Sequence, residues 1–138
     1  MEPVEPVEHL EYVAIVTGLV LLQLFWFSLQ VGRAREAHKC PAPAMSGPPE
    51  FERAYRVHMN TLEQLVILIP SMWMFAYFTE QADVAASLGI VFIVGRLLYR
   101  STYMADPASR TIGFMVGFVP MMIMLVGSMI GAGMKLIG

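Results

Sequence analysis

Charge is scarce in this chain. Only 14% of its residues are Asp, Glu, Lys or Arg, where a soluble domain carries about a quarter. Hydrophobic residues make up 57% of the 138, and the mean hydropathy is +0.60. So short a chain has too little interior to hide that much apolar surface from water, and lipid is the solvent that fits. Cysteine is nearly missing. Cys40 stands alone, which excludes an intrachain disulfide, and no base or second ligand beside it marks it as a nucleophile. No basic tract of the nucleic-acid-binding kind occurs, so no nucleic-acid partner is expected. A signal peptide begins basic, whereas Glu2, Glu5, Glu8 and Glu11 precede the first apolar run here. Arg33 and Arg35, not a small-residue cleavage site, follow that run, so no signal peptide is expected. The 12 methionines fall mostly in apolar runs and read as flexible packing, with no metal site expected.

What the chain does have is long apolar runs: Tyr12 to Val31, Leu65 to Phe78, Val84 to Tyr99 and Ile112 to Ile137. A bilayer core needs about 20 helical residues, roughly 17–25. The first and last runs qualify outright. The middle two reach spanning length only if their polar flanks, Phe51 to Gln64 and Arg96 to Tyr103, continue the same helices. Polar side chains would then lie at or just inside one membrane boundary, facing protein or water. The expectation is an all-α membrane protein, one four-helix transmembrane domain over 1–138, with helices near 9–36, 50–78, 83–104 and 107–136. Pro41, Pro43, Gly47, Pro48 and Pro49 mark the first loop, and a tight turn around Glu80–Asp83 makes the second and third helices antiparallel neighbours. Asp106-Pro107 has the form of a helix start, with Asp as the cap and Pro in the first helical position. Gly113 and Gly117 form a GxxxG in the fourth run, where small residues permit close helix approach.

Basic residues set the orientation. Arg33, Arg35, Lys39, Arg53 and Arg56 cluster around the first connection, and Arg96, Arg100 and Arg110 around the third. The N-terminus and the second turn carry acids, and Lys135 alone argues the other way. The positive-inside rule therefore makes the first and third connections cytoplasmic and puts both termini outside.

Arg56, Asn60 and Glu63 are spaced i, i+4, i+7 and share a helical face, with Arg53 on roughly the same side. Arg96, Tyr99 and Tyr103 share a face of the third helix. Arg35 closes the first helix, and Arg110 opens the fourth. All converge on one polar layer. Arg33, Arg53 and Arg100 read first as interfacial anchors. Asn60 and Glu63 lie deeper, and a carboxylate there needs a partner. A purely structural ion pair from Arg56 to Glu63 is the competing reading. Chemically, the set suits a small zwitterion with several charges. Arginines fork onto carboxylates, Glu63 can hold an amino group, and Asn60 offers both a donor and an acceptor. A tyrosine hydroxyl or an arginine can stabilise a thiolate, whose free pKa of about 8.5 must fall for reaction at neutral pH.

The stretches FSLQVGRARE (27–36), SGPPEFERAYRVHMNTLEQ (46–64) and GRLLYRSTY (95–103) resemble the membrane-associated proteins in eicosanoid and glutathione metabolism, the MAPEG family. The resemblance is strongest to the microsomal glutathione transferase and leukotriene-C synthase branch. It implies a homotrimer of four-helix protomers, with glutathione as co-substrate bound between neighbouring subunits near the cytosolic face. By matching position, it implies that Arg56, Asn60 and Glu63 bind glutathione, that Tyr99 and Tyr103 continue the site, and that Arg35 reaches in from the adjacent subunit. Arg110 takes the position of the arginine that activates the thiol. Three positions depart from the pattern: Glu36 replaces a second arginine after Arg35, His58 a glutamine, and Gln64 a tyrosine.

The expected function is a membrane-bound glutathione transferase acting on apolar electrophiles, with glutathione-dependent peroxidase as a companion activity. The acidic N-terminus and the lack of a processing signal favour a bacterial inner membrane. The main rival is a non-catalytic lipid-binding scaffold on the same fold. A small proton-coupled drug exporter ranks lower, because it needs a membrane-embedded acid on the first helix and none lies between Tyr12 and Val31.

Overall fold

A computed structural model describes residues 5–138 and consists of four long helices and one short turn of 3₁₀ helix. Glu2 of the acidic N-terminal cluster lies outside the described residues. The helices are α1 (Leu10–Ala37), α2 (Pro49–Thr79), α3 (Ala82–Ala105) and α4 (Thr111–Ile137). Each is long and apolar enough to cross a membrane, the pattern of an integral multi-pass protein.

The polar flanks are helical. α2 opens at Pro49, the first-turn position where a missing N–H costs nothing, and runs without a break through Arg56, Asn60 and Glu63. α3 likewise carries Arg96, Tyr99 and Tyr103 before ending at Ala105. α2 and α3 are separated only by Glu80 and Gln81, with Glu80 in the left-handed region at φ 59°. The Asp106-Pro107 start is more compact than a plain capped α-helix. Pro107–Ser109 forms a 3₁₀ turn, Asp106 accepts a hydrogen bond from the Ala108 N–H at 3.1 Å, and α4 proper begins at Thr111. Ser109 fixes that turn by donating its hydroxyl to the carbonyls of Asp106 and Thr102.

α2 and α3 form the central pair, each packed against both α1 and α4. The core follows helical spacing: Val13, Val16 and Val20 of α1 meet Leu65, Leu68, Met72 and Phe75 of α2, Phe92 of α3, and Met121 and Met124 of α4. In lipid, such contacts hold through close packing and interhelical hydrogen bonds more than through the expulsion of water. Two polar ties cross the spans: the Trp73 indole donates to Thr17 at 3.0 Å, and the buried Gln23 amide donates to the Ile93 carbonyl at 2.9 Å. The outside of the bundle is apolar, with Ile15, Leu22, Phe25, Val66 and Met129 exposed. The surface is 8322 Å², above the roughly 7,200 Å² expected of a water-soluble fold of this mass.

Glycine sets how closely α3 and α4 cross. A Cβ on Gly113 would run into the backbone of Tyr99 and Leu98, and one on Gly95 would run into the backbone of Gly117 and Val116. The GxxxG of α4 therefore has a third member on the facing helix. This crossing lies directly beneath Tyr99, so the same glycines that join the helices set the height of the site.

Candidate functional site

At the polar end of the bundle, Arg56 and Asn60 of α2, Tyr99 of α3, and Arg110, Thr111 and Phe114 at the start of α4 enclose a cavity of about 320 Å³. That volume is at the lower end of the range typical for small-molecule sites, about 300–1,000 Å³. Four of the residues singled out from sequence meet here: Arg56, Asn60, Tyr99 and Arg110. A larger opening of about 580 Å³ lies at the far end, walled mostly by apolar groups of α2 and α4 such as Phe78, Ile130 and Met134. It offers none of this chemistry.

The other predicted residues stand around the cavity in different ways. Glu63 does not line it but pairs with Arg56, Oε1 to Nη1 at 3.4 Å, with both side chains about half exposed. The ion pair read from the sequence as the competing role for these two residues is thus present. Tyr103 stacks on Tyr99 with ring centres 5.5 Å apart and planes 13° apart. Arg35 is not brought to the cavity within one protomer. Its Nη1 donates to the Ala44 carbonyl at 2.7 Å and more weakly to that of Cys40, and its guanidinium lies over the Phe51 ring. The proline-rich loop folds back over the end of α1, and its free carbonyls claim the arginine. His58 and Gln64 do not line the cavity.

Arginines read as anchors have specific partners. Arg53 donates to the Met104 carbonyl at 3.0 Å, satisfying a backbone acceptor left over at the end of α3. Arg100 lies over the Trp26 ring at 4.8 Å, a cation–π contact at the membrane boundary.

Arg96 is the residue whose part the sequence understated. Spacing placed it on the face of Tyr99 and Tyr103, without a role. It is 1% exposed. Its Nη2 donates to Asn60 Oδ1 at 2.8 Å and to Thr61 Oγ1 at 2.9 Å, its Nε donates to Thr61 at 3.2 Å, and its guanidinium lies 4.2 Å from the centre of the Tyr99 ring. Thr61 was not singled out at all; a threonine within a helical run carries no signal until its partner is known. The network also revises what Asn60 offers, because its oxygen is turned toward Arg96 and its N–H donors are left on the other side.

Arg110 is the opposite case. It is exposed, makes no ion pair or side-chain hydrogen bond among the described residues, and sits where α4 begins without a side-chain cap. A helix start presents unpaired N–H groups and partial positive charge. The cavity thus has arginine at two points, a tyrosine hydroxyl, amide donors and a helix N-terminus. Such groups attract an anion.

The chain is similar in sequence to known proteins. An uncharacterised protein of Synechocystis sp. is 38% identical over 117 residues, 85% of each chain. Human microsomal glutathione S-transferase 2 is 41% identical over 101 residues, 73% of this chain and 68% of its own. Guinea-pig (Cavia porcellus) leukotriene C4 synthase is 42% identical over 93 residues, 67% of this chain and 61% of its own, so the match spans somewhat less than two thirds of that relative. The MAPEG family model matches residues 13–130, a stretch that holds α2 and α3 whole, most of α1 and α4, and every residue around the cavity. With four apolar helices and a cavity lined by two arginines, an asparagine and a tyrosine at one end, the chain belongs to the MAPEG family.

Proposed function

We propose that the protein is a membrane-bound glutathione transferase that conjugates the glutathione thiolate to apolar electrophiles. The observation that carries this reading is the joint lining of one cavity by Arg56, Asn60, Tyr99 and Arg110. Relatives named for glutathione transfer and for leukotriene C4 synthesis support it. Glutathione is a flexible tripeptide with two carboxylates, an amino group and a thiol. Arg56 takes a carboxylate, Glu63 the amino group, and Asn60 donates to a carbonyl or carboxylate oxygen, while Tyr99 and Tyr103 form the wall along the peptide. Arg35 reaches the rim from a neighbouring protomer.

Arg110 is the catalytic residue in this proposal. A guanidinium stays protonated in a protein and cannot take the thiol proton, which leaves to water. Its role is electrostatic: with the N-terminus of α4 it favours the thiolate over the thiol and holds the anion for attack. Sulfur then forms a bond to the electrophilic carbon as the bond to the leaving group breaks, and the leaving group departs with the electron pair. The electrophile approaches from the bilayer, along the apolar outer surface.

The protein acts as a homotrimer in this reading. Arg56 and Glu63 are half exposed on a helix that spans the membrane, and a charged pair facing lipid is costly unless another chain or water covers it. The cavity lies at the cytoplasmic face, where the arginines concentrate, and both termini lie outside; a bacterial inner membrane is the proposed setting.

The test is conjugation of 1-chloro-2,4-dinitrobenzene by the protein in nanodiscs, with glutathione binding measured by calorimetry. Saturable binding together with turnover is expected. Absence of glutathione binding would overturn the reading in favour of a lipid-binding scaffold. Reduction of cumene hydroperoxide, assayed in parallel, separates conjugation from a peroxidase activity.

A further inference from the structure

A buried guanidinium among neutral partners is an unusual expense in a membrane span. Arg96 has no carboxylate within ion-pair distance among the described residues; its partners are an amide oxygen, a hydroxyl and an aromatic face. Charge taken out of water without a counter-ion is costly, so the effect of Arg96 on its neighbours is informative.

Guanidinium groups donate hydrogen bonds and never accept them. The atom that Asn60 turns toward Arg96 must therefore be its oxygen, and the amide nitrogen must point the other way. On that side no group among the described residues accepts from Nδ2, and the nitrogen is not sealed in, so it opens on the cavity that Asn60 lines. Thr61 offers no escape from this arrangement. Its oxygen already accepts from Nε and Nη2 of Arg96, and its own proton goes to the Val57 carbonyl at 2.7 Å. Across the guanidinium, the Tyr99 ring lies on its face and Tyr103 stacks on Tyr99 in turn. One buried side chain thus holds both an α2 wall and an α3 wall of the cavity.

We infer that Arg96 is a positioning residue: it locks the Asn60 amide with its N–H donors toward the cavity and seats Tyr99. This part of the site therefore selects a carboxylate or carbonyl oxygen of the bound thiol peptide and rejects a donor. The inference rests on the glutathione reading and adds to it the orientation of one contact and the group that enforces it.

The full-length protein in nanodiscs tests this with glutathione as the probe, through calorimetry and through KM and kcat for conjugation. Arg96→Met and Asn60→Ala are each expected to raise the glutathione KM about tenfold, the worth of one hydrogen bond to a charged group, with kcat changing less. The double variant is expected to be no worse than Arg96→Met alone, because the Asn60 contact is already lost in it. Arg96→Lys, which keeps a donor, is expected to recover part of the loss. Asn60→Asp keeps an acceptor for Arg96 but offers no donor to the ligand. It is expected to keep the wild-type thermal midpoint and still bind glutathione at least tenfold more weakly. Losses that multiply in the double variant overturn the inference, as does wild-type affinity in Asn60→Asp. Should Arg96→Met fail to fold, Asn60→Asp and Arg96→Lys decide alone by the same criteria. Wild-type protein that binds no glutathione overturns the proposed function and this inference together, whereas binding with multiplied losses overturns the inference only.

Discussion

Arg96 and Arg110 are both arginines of the same polar layer, yet they occupy opposite conditions. Arg96 is enclosed, with its Nε and Nη2 donors committed to Asn60 and Thr61 and its face on Tyr99. Arg110 is exposed at the start of α4, with no side-chain partner among the described residues. Residue type alone does not separate them; available valence does. An arginine whose hydrogen bonds are spent within the fold shapes the site, and one with its hydrogen bonds unspent is ready for a ligand. Arg53, held by a backbone carbonyl, falls with Arg96. Arg56 lies between, paired with Glu63 by a single 3.4 Å contact that a ligand can replace.

The sharpest way to break this distinction is Arg110→Ala. Loss of one electrostatic stabiliser of the reacting anion is expected to lower kcat about 100-fold, while the thermal midpoint without glutathione stays at the wild-type value. Unchanged kcat would remove Arg110 from the catalytic role. Gly113→Val is next. Its side chain would meet the Tyr99 backbone, so it is expected to cost about 1–3 kcal/mol of stability and to lower activity with it by lifting Tyr99 from Arg96. Stability retained in a denaturation series would mean that the α3–α4 crossing is looser than the geometry indicates. Glu63→Gln comes third. An exposed pair contributes about 0.2–1 kcal/mol, so stability is expected to fall by less than about 1 kcal/mol while glutathione affinity by calorimetry falls by more than that. A stability loss equal to the binding loss would make the pair structural. The smallest effect is expected at the far end. Glu80→Gly relieves a left-handed backbone at φ 59° but gives up the 3.6 Å contact with Lys135, and KM and kcat should stay at wild-type values.

Much of the fold was legible in the sequence, because hydropathy and helix length are enough to count spans. That the second and third runs continue through their polar flanks also followed, since shorter helices would not cross. The shared faces of Arg56, Asn60 and Glu63, and of Arg96, Tyr99 and Tyr103, followed from helical geometry. What did not follow is which atoms those faces turn toward each other. Helical spacing places Arg96 beside Tyr99, but only the crossing of α3 against α2 shows that the guanidinium meets Asn60 and Thr61. The third glycine of the crossing, Gly95, is invisible for the same reason: GxxxG is a pattern within one helix, and its complement lies on another. Arg35 shows a different limit. Its partners are loop carbonyls, and a carbonyl carries no mark of its owner in the sequence.

Cys40 has a bearing on durability. A protein that brings reactive carbon compounds to a sulfur nucleophile puts its own thiols at risk of alkylation. This chain has one thiol, and it is nearly enclosed beneath the loop, with its Sγ donating to the Ser46 carbonyl at 3.4 Å and packed so tightly that a Cβ on Gly47 would fall 2.9 Å from it. In the proposed reaction an electrophile would meet almost no exposed protein thiol, and the bound peptide's sulfur would be the one it consumes.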